Sequence, residues 1–314
     1  MTDPDPRTPA LPVAVFADDA QALPTTALGQ AAAAAATPNA VTPVLVIDQP
    51  QPGAVLFIDE TPTAPAFTCA ARIVGVMPDP TPNTAFNWTM TTVDTTARRV
   101  TCKALEEAPG LVGGQWTPSP DVRGGDVTIT VTATVAGTTV TGKVGLKILG
   151  RNPDESAVRA FCQAVGGTQD GTNLILIARH ETRFQQFDPA THLPKVNPTS
   201  DAGGIMQLLN PPASCEARWN WQQNVREAAD LLSKKRAGAI GDLAPFRDAA
   251  GHFRSDRQWP NDQVLRYETL QRYAGGTYWD RDQDKKILIR NPGRRDAKGN
   301  WIPSGFINEL GLPE

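Results

Sequence analysis

At 314 residues the chain has room for two domains, and 40% hydrophobic with 20% charged residues is ordinary for a globular protein. Up to residue 150 there are 8 Lys+Arg against 13 Asp+Glu, and beyond it 22 against 20, so neither half has the concentrated basic face that nucleic acid binding needs. No apolar run approaches the roughly 20 residues of a spanning helix, which argues against membrane insertion.

Residues 1–40 are rich in Ala, Pro and Thr, with little periodicity, and read as a flexible tether. The start, Met1-Thr2-Asp3-Pro4-Asp5-Pro6, is acidic and Pro-rich, whereas a Sec signal begins positive and then turns apolar; Sec export is not expected. From Val41 the pattern changes to short β-branched runs between turn residues: Val44 to Ile47, Ala54 to Ile58, Ala70 to Met77 and Phe86 to Met90. The clearest hairpin is Asp126 to Val135, the turn Ala136-Gly137, and Thr138 to Leu149, in which Val/Ile alternate with Thr to give one buried and one wet face. Trp88 is expected in the core. Gly150-Arg151-Asn152-Pro153 ends the last strand, and helical patterns follow at Asp154 to Ala164, Thr172 to Phe184, Gln222 to Arg236 and Asp262 to Tyr273. The expected fold is an immunoglobulin-like β-sandwich over 41–150 followed by a mainly α-helical domain over 151–314.

Four cysteines, Cys69, Cys102, Cys162 and Cys215, have none of the short spacings of a zinc site, so neither a metal nor a cofactor is expected. Outside the cytoplasm, Cys69 with Cys102 and Cys162 with Cys215 are candidate disulfides. Buried free thiols fit the spacing equally well.

Glu181 closes the apolar stretch Leu174-Ile175-Leu176-Ile177-Ala178. An apolar helix end penalises the charged form of a carboxyl, which is what a proton donor at neutral pH requires. His180-Glu181 does not continue into a zinc protease motif, because Phe184 stands where the second His would be. Glu181 is followed by Gly203-Gly204-Ile205-Met206-Gln207-Leu208 and then by Arg272-Tyr273-Ala274-Gly275-Gly276. In order and rough spacing these segments resemble the Glu-Ser, Gly-Leu-Met-Gln and Ala-Tyr-Asn-x-Gly motifs of lytic transglycosylases of the soluble lytic, lysozyme-like kind. Thr182 replaces the Ser and keeps its hydroxyl, Ala274 replaces the Asn, and the segment between the first two motifs is longer. Trp219-Asn220-Trp221-Gln222-Gln223-Asn224-Val225 resembles the start of the family's following helix. The resemblance spans about Asn152 to Gly311 and implies a lysozyme-like catalytic domain.

It further implies cleavage of the β-1,4 bond between N-acetylmuramic acid and N-acetylglucosamine in peptidoglycan, with Glu181 as general acid and then base and a 1,6-anhydromuramoyl product. Thr182 would fix the helix end, Gly204 and Met206 would shape the substrate turn, Gln207 would hold an acetamido or hydroxyl group, and Tyr273 would pack near Glu181. A goose-type lysozyme is similar to this family and uses a downstream Asp, for which Asp188 and Asp201 are candidates. The remaining alternative is a silent glycan-binding or structural virion module. A wall-degrading enzyme with no Sec signal fits delivery by a type VI secretion machine or a phage tail, partnered through the N-terminal region. An immunity protein is expected only in the first case.

Overall fold

β-Branched alternation forms strands here wherever one face can be buried. The computed structural model describes residues 42–97, 101–255, 259–290, 294, 295, 301, 302 and 307. The tether expected over 1–40 lies outside them. The strands β1 (Val44–Gln49), β2 (Val55–Ile58), β3 (Cys69–Val74), β4 (Ala85–Asp94), β5 (Cys102–Val112), β6 (Gln115–Trp116), β7 (Gly125–Val135) and β8 (Thr138–Gly150) come first. They make a three-stranded sheet, β1-β3-β6, and a five-stranded sheet, β2-β8-β7-β4-β5. The short β2 runs parallel to β8, whereas β7 pairs antiparallel with both β8 and β4. Leu45 and Ile73 of the smaller sheet share one core with Phe86, Trp88, Ile129 and Val131 of the larger.

The β7–β8 hairpin closes at Val135↔Thr138 through Ala136 (φ 49°) and Gly137 (φ 78°), two left-handed residues whose twist matches the strands they join. β5 is less obvious from its residues, since Lys103-Ala104-Leu105-Glu106-Glu107-Ala108 has helix-forming composition. Its ladder with β4 overrides that preference, and its position at the sheet edge accommodates Pro109.

After Gly150 the chain forms α1 (Glu155–Thr182), α2 (Cys215–Trp219), α3 (Trp221–Leu243) and α4 (Asn261–Tyr273), then a hairpin of β9 (Trp279–Asp282) and β10 (Ile287–Arg290). α1 covers both of the first two helical patterns and kinks at Gly167, whose backbone leaves the helical region at φ 63°, ψ −158°. Asn220 caps α3 by accepting the Gln223 N–H at 3.1 Å.

The expectation of an immunoglobulin-like sandwich followed by a mainly α-helical lysozyme-like domain needs correction: the fold is not mainly helical, with strand about 33%, helix about 31%, and four α-helices and several sheets among the described residues. Helical periodicity marked the right places after Gly150 but not how little of the intervening chain is helical. Residues 183–214 form an irregular loop, with isolated bridges such as Phe187↔Pro194 and Gly203↔Leu208, because Pro, Gly and Asn punctuate it too often for a helix to propagate.

The described residues, 42 onward, belong to one compact unit. Phe187 and Trp219, both from beyond Gly150, sit in the sandwich core. They occupy space that two glycines leave open: a β-carbon on Gly150 would lie 2.2 Å from the Phe187 ring, and one on Gly124 would lie 2.4 Å from Trp219. Trp219 Nε1 donates to Asp94 Oδ2 at 3.0 Å, and Trp221 Nε1 donates to the Glu60 carbonyl at 2.7 Å. Arg218 lies 3.8 Å from the same Asp94 oxygen, in an ion pair that is 2% exposed on both sides.

The cysteine pairing also departs from both candidate pairs. The disulfide joins Cys102 of β5 to Cys215 of α2, with Cα atoms 5.6 Å apart. Cys69 and Cys162 are buried free thiols, each in a different core, and burial pushes both up to about 12. Spacing along the chain does not reveal that β5 and the start of α2 meet.

Candidate functional site

The end of α1 carries Glu181 in its last turn, half-buried, with Thr182 fully buried behind it. Arg183 (φ 57°) and Phe184 (φ 63°) then reverse the chain. The Arg183 N–H donates to the Arg179 carbonyl and the Phe184 N–H to the Ala178 carbonyl, each at 3.1 Å. Lys195 Nζ reaches the same helix end, donating to Gln185 Oε1 at 3.0 Å and to the Thr182 carbonyl at 3.5 Å.

Opposite stands the turn 203–208, closed on itself by reciprocal bonds between the Gly203 and Leu208 main chains, each 3.0 Å. Residues 201–206 are buried, so their peptide groups need partners inside the protein. At Gly203, Ile205 and Met206 four side chains supply them. Thr182 Oγ1 donates to the Ile205 carbonyl at 2.8 Å, and the Ile205 N–H donates to Gln186 Oε1 at 2.8 Å. The Met206 N–H donates to Asn224 Oδ1 at 2.9 Å, while Asn224 Nδ2 donates to the Gly203 carbonyl at 3.2 Å. Tyr273, the last residue of α4, donates its hydroxyl to the Met206 carbonyl at 2.9 Å.

The three separated segments singled out in the sequence therefore meet in space. Burial first, and then the nearby Glu181 carboxylate, raise the Tyr273 phenol's pKa well above its ordinary range, so it remains a protonated donor at neutral pH. α4 is fixed by Arg266 Nε, which donates to Asn173 Oδ1 of α1 at 2.8 Å. The buried Glu268 carboxylate accepts the Tyr278 and Trp279 N–H groups at 2.8 and 3.1 Å and the Arg272 guanidinium at 2.8 Å.

The individual sites differ in kind. Met206 has a fully buried side chain and takes part through its backbone. Gly204 (φ 79°) makes room for Asn224, whose amide nitrogen would lie 2.2 Å from a β-carbon there. Gln207 (φ 49°) directs its amide nitrogen to the Gly204 and Lys195 carbonyls at 2.9 and 3.2 Å. Asp188 Oδ1 accepts the Ala190 and Thr191 N–H groups and the Thr191 hydroxyl. These donors, the Thr191 N–H foremost, hold its carboxyl below the usual carboxylate range. Asp201 is buried with φ 63° in the loop leading into the turn.

Gln186, Asn224 and Lys195 were not among the candidate site residues. Asn224 had a signal: it falls on the same helical face as Val225, Ala228, Leu231 and Leu232, all buried. A polar residue on an apolar stripe needs a buried partner. Gln186 and Lys195 lie in irregular chain, where no periodicity marks them. Among the described residues no three His, Cys, Asp or Glu side chains gather as a metal ion would need, and no helix is long and apolar enough to cross a membrane.

No family model and no curated protein matches the chain. Among solved structures it is similar to the PKD domain of human KIAA0319, at 12% identity and TM-score 0.24 over 40% of this chain and 96% of that one. Human titin ZIg10 is similar at 18% identity and TM-score 0.20, over 40% and 94%. An engineered protein matches at 19% identity and TM-score 0.21 over 35% of this chain, which spans 20% of that chain's length.

Proposed function

We propose that the protein cleaves peptidoglycan glycan strands at the β-1,4 bond between N-acetylmuramic acid and N-acetylglucosamine, with Glu181 as general acid and then general base. One observation carries this reading: the end of α1 that bears Glu181, the 203–208 turn and Tyr273 come from three distant parts of the chain and converge, with Thr182 and Tyr273 both hydrogen-bonded to the turn. A half-buried carboxyl at the end of an apolar helix, set beside a rigid buried turn and a phenol, is an arrangement that acid–base chemistry can use.

In this reading Glu181 gives its proton to the glycosidic oxygen as the C1–O bond breaks and positive charge spreads over C1 and the ring oxygen. The resulting carboxylate takes the proton of the muramoyl C6 hydroxyl, whose oxygen bonds to C1. The products are a shortened strand with a free N-acetylglucosamine 4-hydroxyl and a 1,6-anhydromuramoyl end, and Glu181 is again protonated. Thr182 holds the Ile205 carbonyl and Tyr273 the Met206 carbonyl, which fixes the turn against the end of α1 that carries Glu181. This route uses one carboxylate and needs no part from Asp188, whose Oδ1 is held by donors of its own loop. The disulfide suits action in an oxidising compartment such as the periplasm or cell surface, for which a secretion machine or phage tail would be the carrier.

Mass spectrometry of muropeptides released from purified sacculi tests the reading. Anhydro ends, one water lighter than hydrolysis products, are expected from the native protein and none from Glu181→Gln with unchanged thermal unfolding. Reducing ends would make it a hydrolase. Absence of products with glycan binding intact would make it a binding module.

A further inference from the structure

The Gln186 side chain is fully buried and makes three hydrogen bonds, one to the 203–208 turn and two to α2. Its Oε1 accepts the Ile205 N–H at 2.8 Å, on the turn that Thr182, the neighbour of Glu181, also holds. Its Nε2 donates to the Ala217 and Arg218 carbonyls at 2.9 and 2.6 Å, at the C-terminal end of α2. An amide that donates at one end and accepts at the other joins two backbones that have no direct bond.

α2 has only five residues and cannot stand alone. It is held by the sandwich: Cys215 is bridged to Cys102 of β5, Trp219 donates to Asp94 of β4, and Arg218 pairs with the same carboxylate. The order of attachment therefore runs from β4 and β5 to α2, from α2 to Gln186, and from Gln186 to Ile205. Low dielectric strengthens each bond, and loss of either half of the Gln186 amide leaves buried peptide groups without partners.

We propose that Gln186 is a positioning residue of the Glu181 site, setting the 203–208 turn against an α2 that the β-sandwich anchors, so that the sandwich is a support for the site. This rests on the proposed function only for its kinetic consequence. The support itself has an independent readout.

The test compares the full chain with Gln186→Met, which keeps the length and loses the amide, with Gln186→Glu, which keeps the acceptor and loses both donors, and with the double variant Cys102→Ser/Cys215→Ser. Residue-resolved amide exchange is read at Ile205 and Met206 and at β7, and kcat and KM are read on soluble muropeptide strands per folded molecule. Gln186→Met should speed exchange at Ile205 about tenfold or more with β7 unchanged, and should lower kcat about tenfold at nearly constant KM, the size of one buried hydrogen bond. Gln186→Glu and the double cysteine variant should shift Ile205 the same way. Native exchange at Ile205 in Gln186→Met, or faster exchange spread equally over Ile205 and β7, would overturn the proposal. So would a wild-type kcat per folded molecule in an active enzyme. If the native protein cleaves no strands, the enzymatic reading fails, and the exchange data alone decide whether Gln186 carries the turn.

Discussion

The sandwich and the site-bearing half solve the same problem, burying polar backbone, in opposite ways. In β7 and β8 the peptide groups pair with each other in an unbroken register from Gly125↔Ile148 to Val135↔Thr138, so the ladder is indifferent to which side chain stands at an outward position. In the 203–208 turn, by contrast, the Ile205 and Met206 peptide groups are satisfied by Thr182, Gln186, Asn224 and Tyr273. Each such bond disappears with one substitution. A shape that only specific side chains can hold is where a binding or catalytic arrangement is expected, and where tolerance to mutation is lowest.

The largest stability effect is expected where the two regimes join. Trp219→Ala removes an indole from the sandwich core and the donor to Asp94, leaving the buried Asp94–Arg218 pair short of a partner. Urea unfolding should report a loss of about 3–5 kcal/mol.

Two glycines of similar backbone form a sharper pair. Gly137 (φ 78°) in the β7–β8 hairpin has nothing within 4 Å of the point a β-carbon would occupy, whereas Gly204 (φ 79°) has the Asn224 amide at 2.2 Å. Gly137→Ala bears only the left-handed strain, on the order of 1–2 kcal/mol. Gly204→Ala should cost about 1–3 kcal/mol more by the same unfolding measurement and should depress muropeptide release, because Asn224 must leave the Met206 N–H.

Tyr273→Phe is milder. It removes the bond to the Met206 carbonyl and keeps the ring, so thermal unfolding should register about 1 kcal/mol.

Acid has the smallest local effect, and it separates the loops that hold such carboxyls from the β7–β8 ladder. Asp188, Asp242, Asp248 and Asp282, all beyond Gly150, have carboxyls held below the usual range, chiefly by the Thr191 N–H, the Arg272 guanidinium, the His252 N–H and the Lys285 N–H respectively. A lowered folded pKa contributes stability that is present above the unfolded value near 4 and is lost as pH falls through the folded value. In the sandwich Asp79 is held down in the same way, by Thr81. Amide protection, corrected for the intrinsic pH dependence of exchange, should therefore fall between pH 5 and roughly pH 3 around 188–193 and 248–252 before it falls in β7 and β8.

Much of the molecule is legible without coordinates where periodicity is strong. The β7–β8 hairpin could be read from Val/Thr alternation and Ala136-Gly137, and α3 and α4 from their apolar stripes. β5 was not legible, because Ala104, Leu105, Glu106 and Glu107 favour helix and only the exposed hydrogen-bonding edge of β4 makes them a strand. The limited helix content beyond Gly150 was missed for a related reason: residues 183–214 have no period to read.

Within the candidate site, Glu181 stands out as a carboxyl closing an apolar run, and Tyr273 through the resemblance of its segment to a family motif. Gln186 did not, because a glutamine in a loop reads as solvated until the loop is seen to be buried. By itself the sequence determined the strands and helices of strong period, the break at Gly150, and the residue types able to carry proton transfer. Only the tertiary structure decided that Cys102 meets Cys215, that Phe187 and Trp219 enter the sandwich core, and that three remote segments close around one turn. The physical reason is range: local pattern reports which face of an element is apolar, whereas contacts more than a hundred residues apart depend on how those faces pack together.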